Sequence, residues 1–293
     1  MKPLTDERAR TSRTAVPIDR PSNNGALIEE SARPARRRTL LVRLRLPLLR
    51  AGFIALALLV WQFSVSGGLV PSSAVATPTQ IATELARLVG TQQFWIAVWD
   101  TVRIWAKGMA ISMVIAIPVG LILGANTIAY RMCRVTVDFL RTIPPVALIP
   151  LALLLYGATE TMALVLIVFG SVWPLLLQSM YGVHQVDPVA RDVARSYRWK
   201  PRYYVVDLVI PSAAPFMATG IRLAATISLM LAIGAQLIGG APGIGQLLSS
   251  AQEVGNVSLV YAYIVVSAIL GVAVNLGMIA LERRVLRWHP ANR

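Results

Sequence analysis

DVARSYRWKPRYYVVDLVIP, residues 192–211, interrupts a chain built on either side of it almost wholly from Leu, Ile, Val, Ala and Gly. It gathers three arginines, a lysine, two aspartates and three tyrosines, then closes on Ile210-Pro211. The stretches flanking it are long enough to cross a hydrocarbon core, which takes about 20 apolar residues at about 1.5 Å of rise each. Six apolar stretches occur, at 51–68, 106–125, 143–157, 160–181, 212–239 and 259–281. The third is short, opens on Pro144-Pro145 and contains Pro150, so its backbone is expected to kink and to be shielded by neighbours. Pro118 and Pro174 set the same demand in the second and fourth spans, and Gly120, Gly124, Gly170, Gly234, Gly271 and Gly277 offer small surfaces for close helix packing. Apolar residues make up 56% of the 293, and charged residues only 14%, against about 25% charged in a soluble domain. The pattern predicts an all-α, polytopic membrane protein of about six transmembrane helices.

The charge distribution orients those spans. Of 28 Lys and Arg, twelve lie in residues 1–50, three in 126–142 (Arg131, Arg134, Arg141), five in 182–211 and four at the C-terminus. The alternate connections, 69–91, 158–159 and 240–258, hold only Arg87. Both termini and both basic connections are therefore expected on the cytoplasmic side. Residues 1–48, rich in Arg, Ser and Pro, read as a disordered basic tail beside anionic membrane lipid. Residues 49–293 read as one membrane domain, with its core at about 100–285. A net charge of +14 without aromatic interleaving or a folded recognition module argues against nucleic acid. Arg37-Arg38 imitates a twin-arginine export signal, but Arg43, Arg45 and Arg50 intervene before the apolar run, so the first helix is expected to be retained. Trp95, Trp99 and Trp105 read as an interfacial stretch leading into the second span.

Several chemistries lack their residues. Cys133 is the single cysteine, and His184 and His289 lie far apart, so no metal centre and no catalytic constellation is expected. Intramembrane acids of the kind an ion-coupled secondary transporter needs are missing from the centres of the spans. Glu160, Arg222 and Lys107 lie near span ends. The glycine-rich run Gly239–Gly245 lacks the Lys and Ser/Thr of a phosphate-binding loop and reads as a turn or gate element. Ser171, Gln178, Ser228 and Gln236 are the polar candidates for a translocation path, and each suits a helix–helix hydrogen bond somewhat better than a substrate contact.

Within the opening stretch, helical spacing puts Val189, Val193 and Tyr197 on one face, with Arg191, Arg195 and Arg198 elsewhere. An apolar stripe outside the membrane calls for a covering surface, and Lys200-Pro201 is expected to end the helix. The stretch resembles the signature loop of membrane subunits of type I ATP-binding cassette importers, which runs Glu-Ala-Ala, a glycine four residues later, and Leu-Pro. Asp192-Val193-Ala194 matches Glu-Ala-Ala and Ile210-Pro211 matches Leu-Pro, but Arg198 stands at the glycine position. The segments 137–157, 169–188, 220–248 and 281–290 resemble the nitrate, sulfonate, taurine and bicarbonate branch of these permeases, and 67–81 resembles the segment after its first helix.

The resemblance implies the type I importer transmembrane-domain fold in a bacterial inner membrane. It implies a pore without its own ATPase site or bound cofactor, with ATP and Mg²⁺ held by a separate ATP-binding cassette subunit. The other implied partners are an extracytoplasmic solute-binding protein and a second permease copy. By the same resemblance, residues 182–211 form the coupling loop, carried by Asp192, Val193, Ala194, Arg195, Tyr197 and Arg198. The branch often has Glu where this chain has Gln236.

Overall fold

The computed structural model describes the backbone of residues 36–287 and side chains from Leu49 onward. Its elements are all helical among the described residues: α1 (Arg36–Ser66), α2 (Pro78–Val89), α3 (Gln92–Ala125), α4 (Thr127–Leu140), a 3₁₀ turn (Pro145–Leu148), α5 (Ile149–Tyr156) and α6 (Glu160–His184). Then follow α7 (Pro188–Ser196), α8 (Pro201–Tyr203), a π-helical turn (Tyr204–Val209), α9 (Ile210–Gly239), α10 (Ile244–Glu253) and α11 (Val257–Val285). The expected tail over 1–48 lies mostly outside the described residues, and from Arg36 the backbone is helical. The chain divides into two compact units at Leu59/Val60, within α1, and the second unit contains every other helix.

Among the described residues, five helices are long and apolar enough to cross a membrane, and a sixth crossing follows if the bent pair α4 and α5 counts as one. The third apolar stretch does not span by itself. Pro144-Pro145 leaves α5 only eight residues, about 12 Å of helix, and α5 follows α4 at a 72° bend. The basic connection 126–142 is therefore mostly helix, started by Asn126, whose side-chain oxygen accepts from the Ile128 and Ala129 N–H groups. The second span likewise begins earlier than expected. The Trp-bearing interfacial stretch and the apolar run form one 34-residue helix, continuous through Pro118.

The core of the second unit is the packing of α6 between α3 and α9. Small residues allow it. A Cβ on Gly120 would stand 2.7 Å from the Leu176 carbonyl oxygen, and one on Gly124 would stand 2.9 Å from Val183 Cβ, so both glycines bring α3 against α6. Gly182 plays the same part between α6 and α9, where an added Cβ would lie 2.9 Å from Ala213 Cα. Gly234 and Gly277 have no such neighbour, and Gly271 only grazes Leu229. Met162, Ala163, Ile167, Leu231 and Ala235 fill one half of the bundle, and Ala116, Leu175, Met180 and Ala224 the other. Beside them, α2, α10 and α11 enclose a separate cluster around Ile244, Leu248 and Ala262. Gly239-Gly240 ends α9, with Gly240 left-handed at φ 71°, which turns the chain back into α10.

Candidate functional site

Two features bear on function: the loop joining α6 to α9, and the polar residues inside the bundle. The loop is built by local rules. Asp187 caps α7, accepting from the Val189 N–H at 2.8 Å, and Pro188 occupies the first helical position. The helix ends at Ser196, not at Lys200-Pro201. The Arg198 N–H donates to the Arg195 carbonyl and the Trp199 N–H to the Ala194 carbonyl, both at 3.0 Å. That pair of bonds is a Schellman ending, which needs a left-handed residue where Arg198 stands. Arg198 adopts φ 49° and is the one non-glycine residue with positive φ among the described residues. The turn expected of a glycine is thus made by an arginine, and Pro201 serves instead to start α8.

Left-handed geometry costs an L-residue about 1–2 kcal/mol. Arg198→Gly is accordingly expected to stabilise the loop by about 1 kcal/mol, read as slower amide hydrogen exchange across residues 188–204 than in the parent protein.

The candidate coupling residues do not all face outward. Asp192, Val193, Arg195, Tyr197 and Arg198 are exposed, and Tyr197 retains 77% of its accessible surface. Val189, Val193 and Tyr197 form the exposed apolar stripe that their spacing predicts. Asp192 and Arg195 make a loose ion pair at 3.8 Å, both well hydrated, which contributes little. Ala194 points the other way and keeps only 3% exposure. It seats α7 on its own chain. Beneath the loop, Val183, Val186 and Val209 form a small apolar base.

The four polar residues proposed for a path separate in the same way. Ser171 is fully buried and its hydroxyl lies 2.6 Å from that of Ser112, joining α3 to α6. Ser228 is fully buried and donates to the Ala225 carbonyl. Gln178 is half-buried, and its Cβ would lie 2.8 Å from a Cβ added to Gly220 on α9. Gln236 is fully buried. Its side-chain oxygen accepts from the Thr101 hydroxyl at 3.0 Å and from the Gly245 N–H at 3.2 Å, while the Ile244 N–H donates to Thr101 at 3.0 Å. One amide therefore ties α3, α9 and the start of α10 together. Gln236→Leu strands the Gly245 N–H, costing about 1–3 kcal/mol, while the Thr101 hydroxyl keeps the Ala97 carbonyl at 2.9 Å as its acceptor. A lower melting temperature for the purified chain is the expected reading.

Sequence reasoning missed two features of this region. Glu160, at the start of α6, pairs with Lys107 and, at 3.1 Å, with Arg103, both from α3. Arg222 of α9 pairs with Glu282 of α11 at 3.4 Å. The helical repeat of Asp100, Arg103 and Lys107 was a legible signal for the first. The second pair carries none.

The model of the family described as binding-protein-dependent transport system inner membrane component matches residues 116–287, which takes in the capped loop, the bundle helices α6 and α9, and α11. The chain belongs to that family. Among its relatives, the putative aliphatic sulfonates transport permease protein SsuC of Bacillus subtilis is 25% identical, over 80% of this chain and 85% of that protein. The bicarbonate transport system permease protein CmpB of Synechococcus elongatus is 30% identical, over 66% of this chain and 70% of its own length. The taurine transport system permease protein TauC of Escherichia coli is 27% identical, over 82% and 90%. A chain of the MetNI methionine ABC transporter, solved in inward facing conformations, superposes with a TM-score of 0.58 over 66% of this chain and 96% of that one. At 19% identity that likeness speaks for the fold. The protein is thus a multi-pass inner-membrane permease subunit of an ABC importer, with the importer transmembrane fold. Family membership sets aside the ion-coupled secondary transporter.

Proposed function

We propose that this permease carries a small oxyanionic solute, of the sulfonate, nitrate, taurine or bicarbonate kind, into the cell, driven by a separate ATP-binding subunit that grips the loop between α6 and α9. The observation that carries this reading is the exposed stripe Val189, Val193 and Tyr197 on a helix capped at both ends. Such a face is stable in place and lacks a cover. Asp192, Val193, Arg195, Tyr197 and Arg198 form the contact surface, and Ala194 holds that surface in position from behind. Closure of the ATP-binding subunit then moves the spans as rigid bodies.

The remaining assignments follow from the same division of labour. ATP and Mg²⁺ belong to the partner, because the sequence has no phosphate-binding loop. Cargo arrives from an extracytoplasmic solute-binding protein, and a second copy of the permease completes the pore. The relatives named for sulfonates, taurine and bicarbonate support the solute class. Both termini and α7 face the cytoplasm, in line with the Lys and Arg count. Ser171, Ser228 and Gln236 fix the walls of the path, and Gln178 is the one of the four with surface to offer a passing solute.

The test is topological. With Cys133→Ser as background, Arg195→Cys is expected to escape a membrane-impermeant thiol reagent added to intact cells and to react with it in inside-out vesicles. Labelling from outside intact cells overturns the reading.

A further inference from the structure

The charged group on α3 and α6 has a construction that solvation alone does not explain. Asp100, Arg103 and Lys107 lie one helical turn apart on α3. From Gly108 to Ala125 the helix carries no charge, and that run spans about 27 Å, so Lys107 sits at the edge of the hydrocarbon layer. Long cationic side chains at that depth reach the interface by snorkelling, so what calls for an account is how the charges are arranged on one another. Glu160 reaches them from the first residue of α6. One of its carboxylate oxygens meets Lys107 Nζ and the other meets an Arg103 guanidinium nitrogen at 3.1 Å. Asp100 flanks Arg103 at 3.6 Å. Ile104 and Pro242, the latter from the α9–α10 connection, complete a small cleft around Asp100, Arg103 and Glu160.

Two oxygens of one carboxylate bridging a guanidinium and an ammonium is the geometry in which proteins hold any small oxyanion. Here the occupant is a side chain. The four charges balance, and with Glu160 displaced the site carries a net positive charge at the positive end of the α6 helix dipole. Arg103, Lys107 and Glu160 each keep a third to a half of their surface, so Glu160 can turn away into water, since exposed ion pairs bind weakly.

We propose that Arg103 and Lys107 form an oxyanion site at the outer mouth of the path, and that Glu160 occupies it as an internal substitute until a carboxylate, nitrate or sulfonate group takes its place. The outward placement rests on the topology given above, whereas the site itself does not. It is therefore tested on the permease alone, in nanodiscs open on both faces, where neither transport nor any partner enters the result.

In a Cys133→Ser background, Glu160→Cys removes the substitute and installs a reporter. Its labelling by a sulfonate-bearing methanethiosulfonate is compared with labelling by a trimethylammonium one, each normalised to Ser250→Cys on the exposed side of α10. The expected result is a preference of about tenfold for the sulfonate reagent. Adding Arg103→Gln with Lys107→Gln is expected to abolish it, and nitrate or methanesulfonate to slow labelling more than chloride at equal ionic strength. A preference no greater than at Ser250→Cys, or one that survives loss of both cations, overturns the proposal.

Should Glu160→Cys fail to fold, Ala158→Cys on the exposed α5–α6 connection takes over as reporter. Its preference is expected only with Glu160→Gln, and equal values with and without Glu160 overturn the proposal. A lipid phosphate shares the chemistry. Protection by soluble anions in phosphatidylcholine discs supports a cargo site, and protection only by phosphatidylglycerol overturns it.

Discussion

Gly120→Val is expected to destabilise the permease by about 3 kcal/mol, at the upper end of the range for overpacked interiors. The position leaves no room. A Cβ there would meet the Leu176 carbonyl oxygen and Ser179 Cβ, each at 2.7 Å. Backbone cannot swing aside as the end of a side chain can, so α3 and α6 must separate. That contact lies in the α3–α6 pairing, second in extent only to α6–α9 among the described residues. The neighbouring Gly124, one turn on, is held almost as tightly, 3.0 Å from the Met180 carbonyl oxygen, so the strain has no adjacent slack to enter. The measurement is the thermal transition of the solubilised chain, together with its monodisperse fraction on size exclusion. Gly277→Val on α11 is the control. Nothing lies within 4 Å of a Cβ at that site, and a change within about 0.5 kcal/mol is expected there.

Tyr197→Ala is expected to abolish energised uptake while leaving the protein folded and inserted. Its ring stands 77% exposed, so the fold gains little from it. A tyrosine at the centre of an interface is worth about 2 kcal/mol or more, about 30-fold in affinity, and titration of the purified permease against its ATP-binding subunit measures that loss. Ala194→Glu separates docking from seating. That position keeps 3% exposure, so a carboxylate there unseats α7. Protease sensitivity across residues 185–204 is expected to rise with it, whereas Tyr197→Ala leaves it unchanged. Normal uptake by Tyr197→Ala, or equal protease sensitivity in the two variants, counts against the assigned roles.

The long spans were legible because a hydrocarbon layer imposes one demand, length without charge. The stretches read at 160–181, 212–239 and 259–281 are the helices Glu160–His184, Ile210–Gly239 and Val257–Val285. The short helices α2, α4 and α10 were not predicted, since each is amphipathic and lies between spans. Their signals were present as Thr77 with Gln80, which forms a capping box, and as Asn126 ahead of α4. The apolar repeat Ile128, Met132, Val135, Phe139 on α4 is equally visible but was overshadowed by its arginines.

The loop was legible as a polar interruption between spans, but the directions of its side chains were not. Alanine at 194 carries no mark of facing inward, and an arginine in left-handed geometry contradicts the residue preference that makes such turns readable. Partnerships between distant positions were the least accessible. Ser112 with Ser171 and Thr101 with Gln236 are 59 and 135 residues apart, and no local pattern records them.

α8, the π-helical turn and α9 follow one another without a gap from Pro201 to Gly239. The thirty residues of α9 measure about 45 Å, with the α6–α9 loop at one end and the Gln236 tie to α3 and α10 at the other. A rod of that length is a lever. A tilt of about 5° applied at its base sweeps its tip through about 4 Å, more than a hydrogen bond can stretch, so a slight stroke below is enough to break the Gln236 tie at the top.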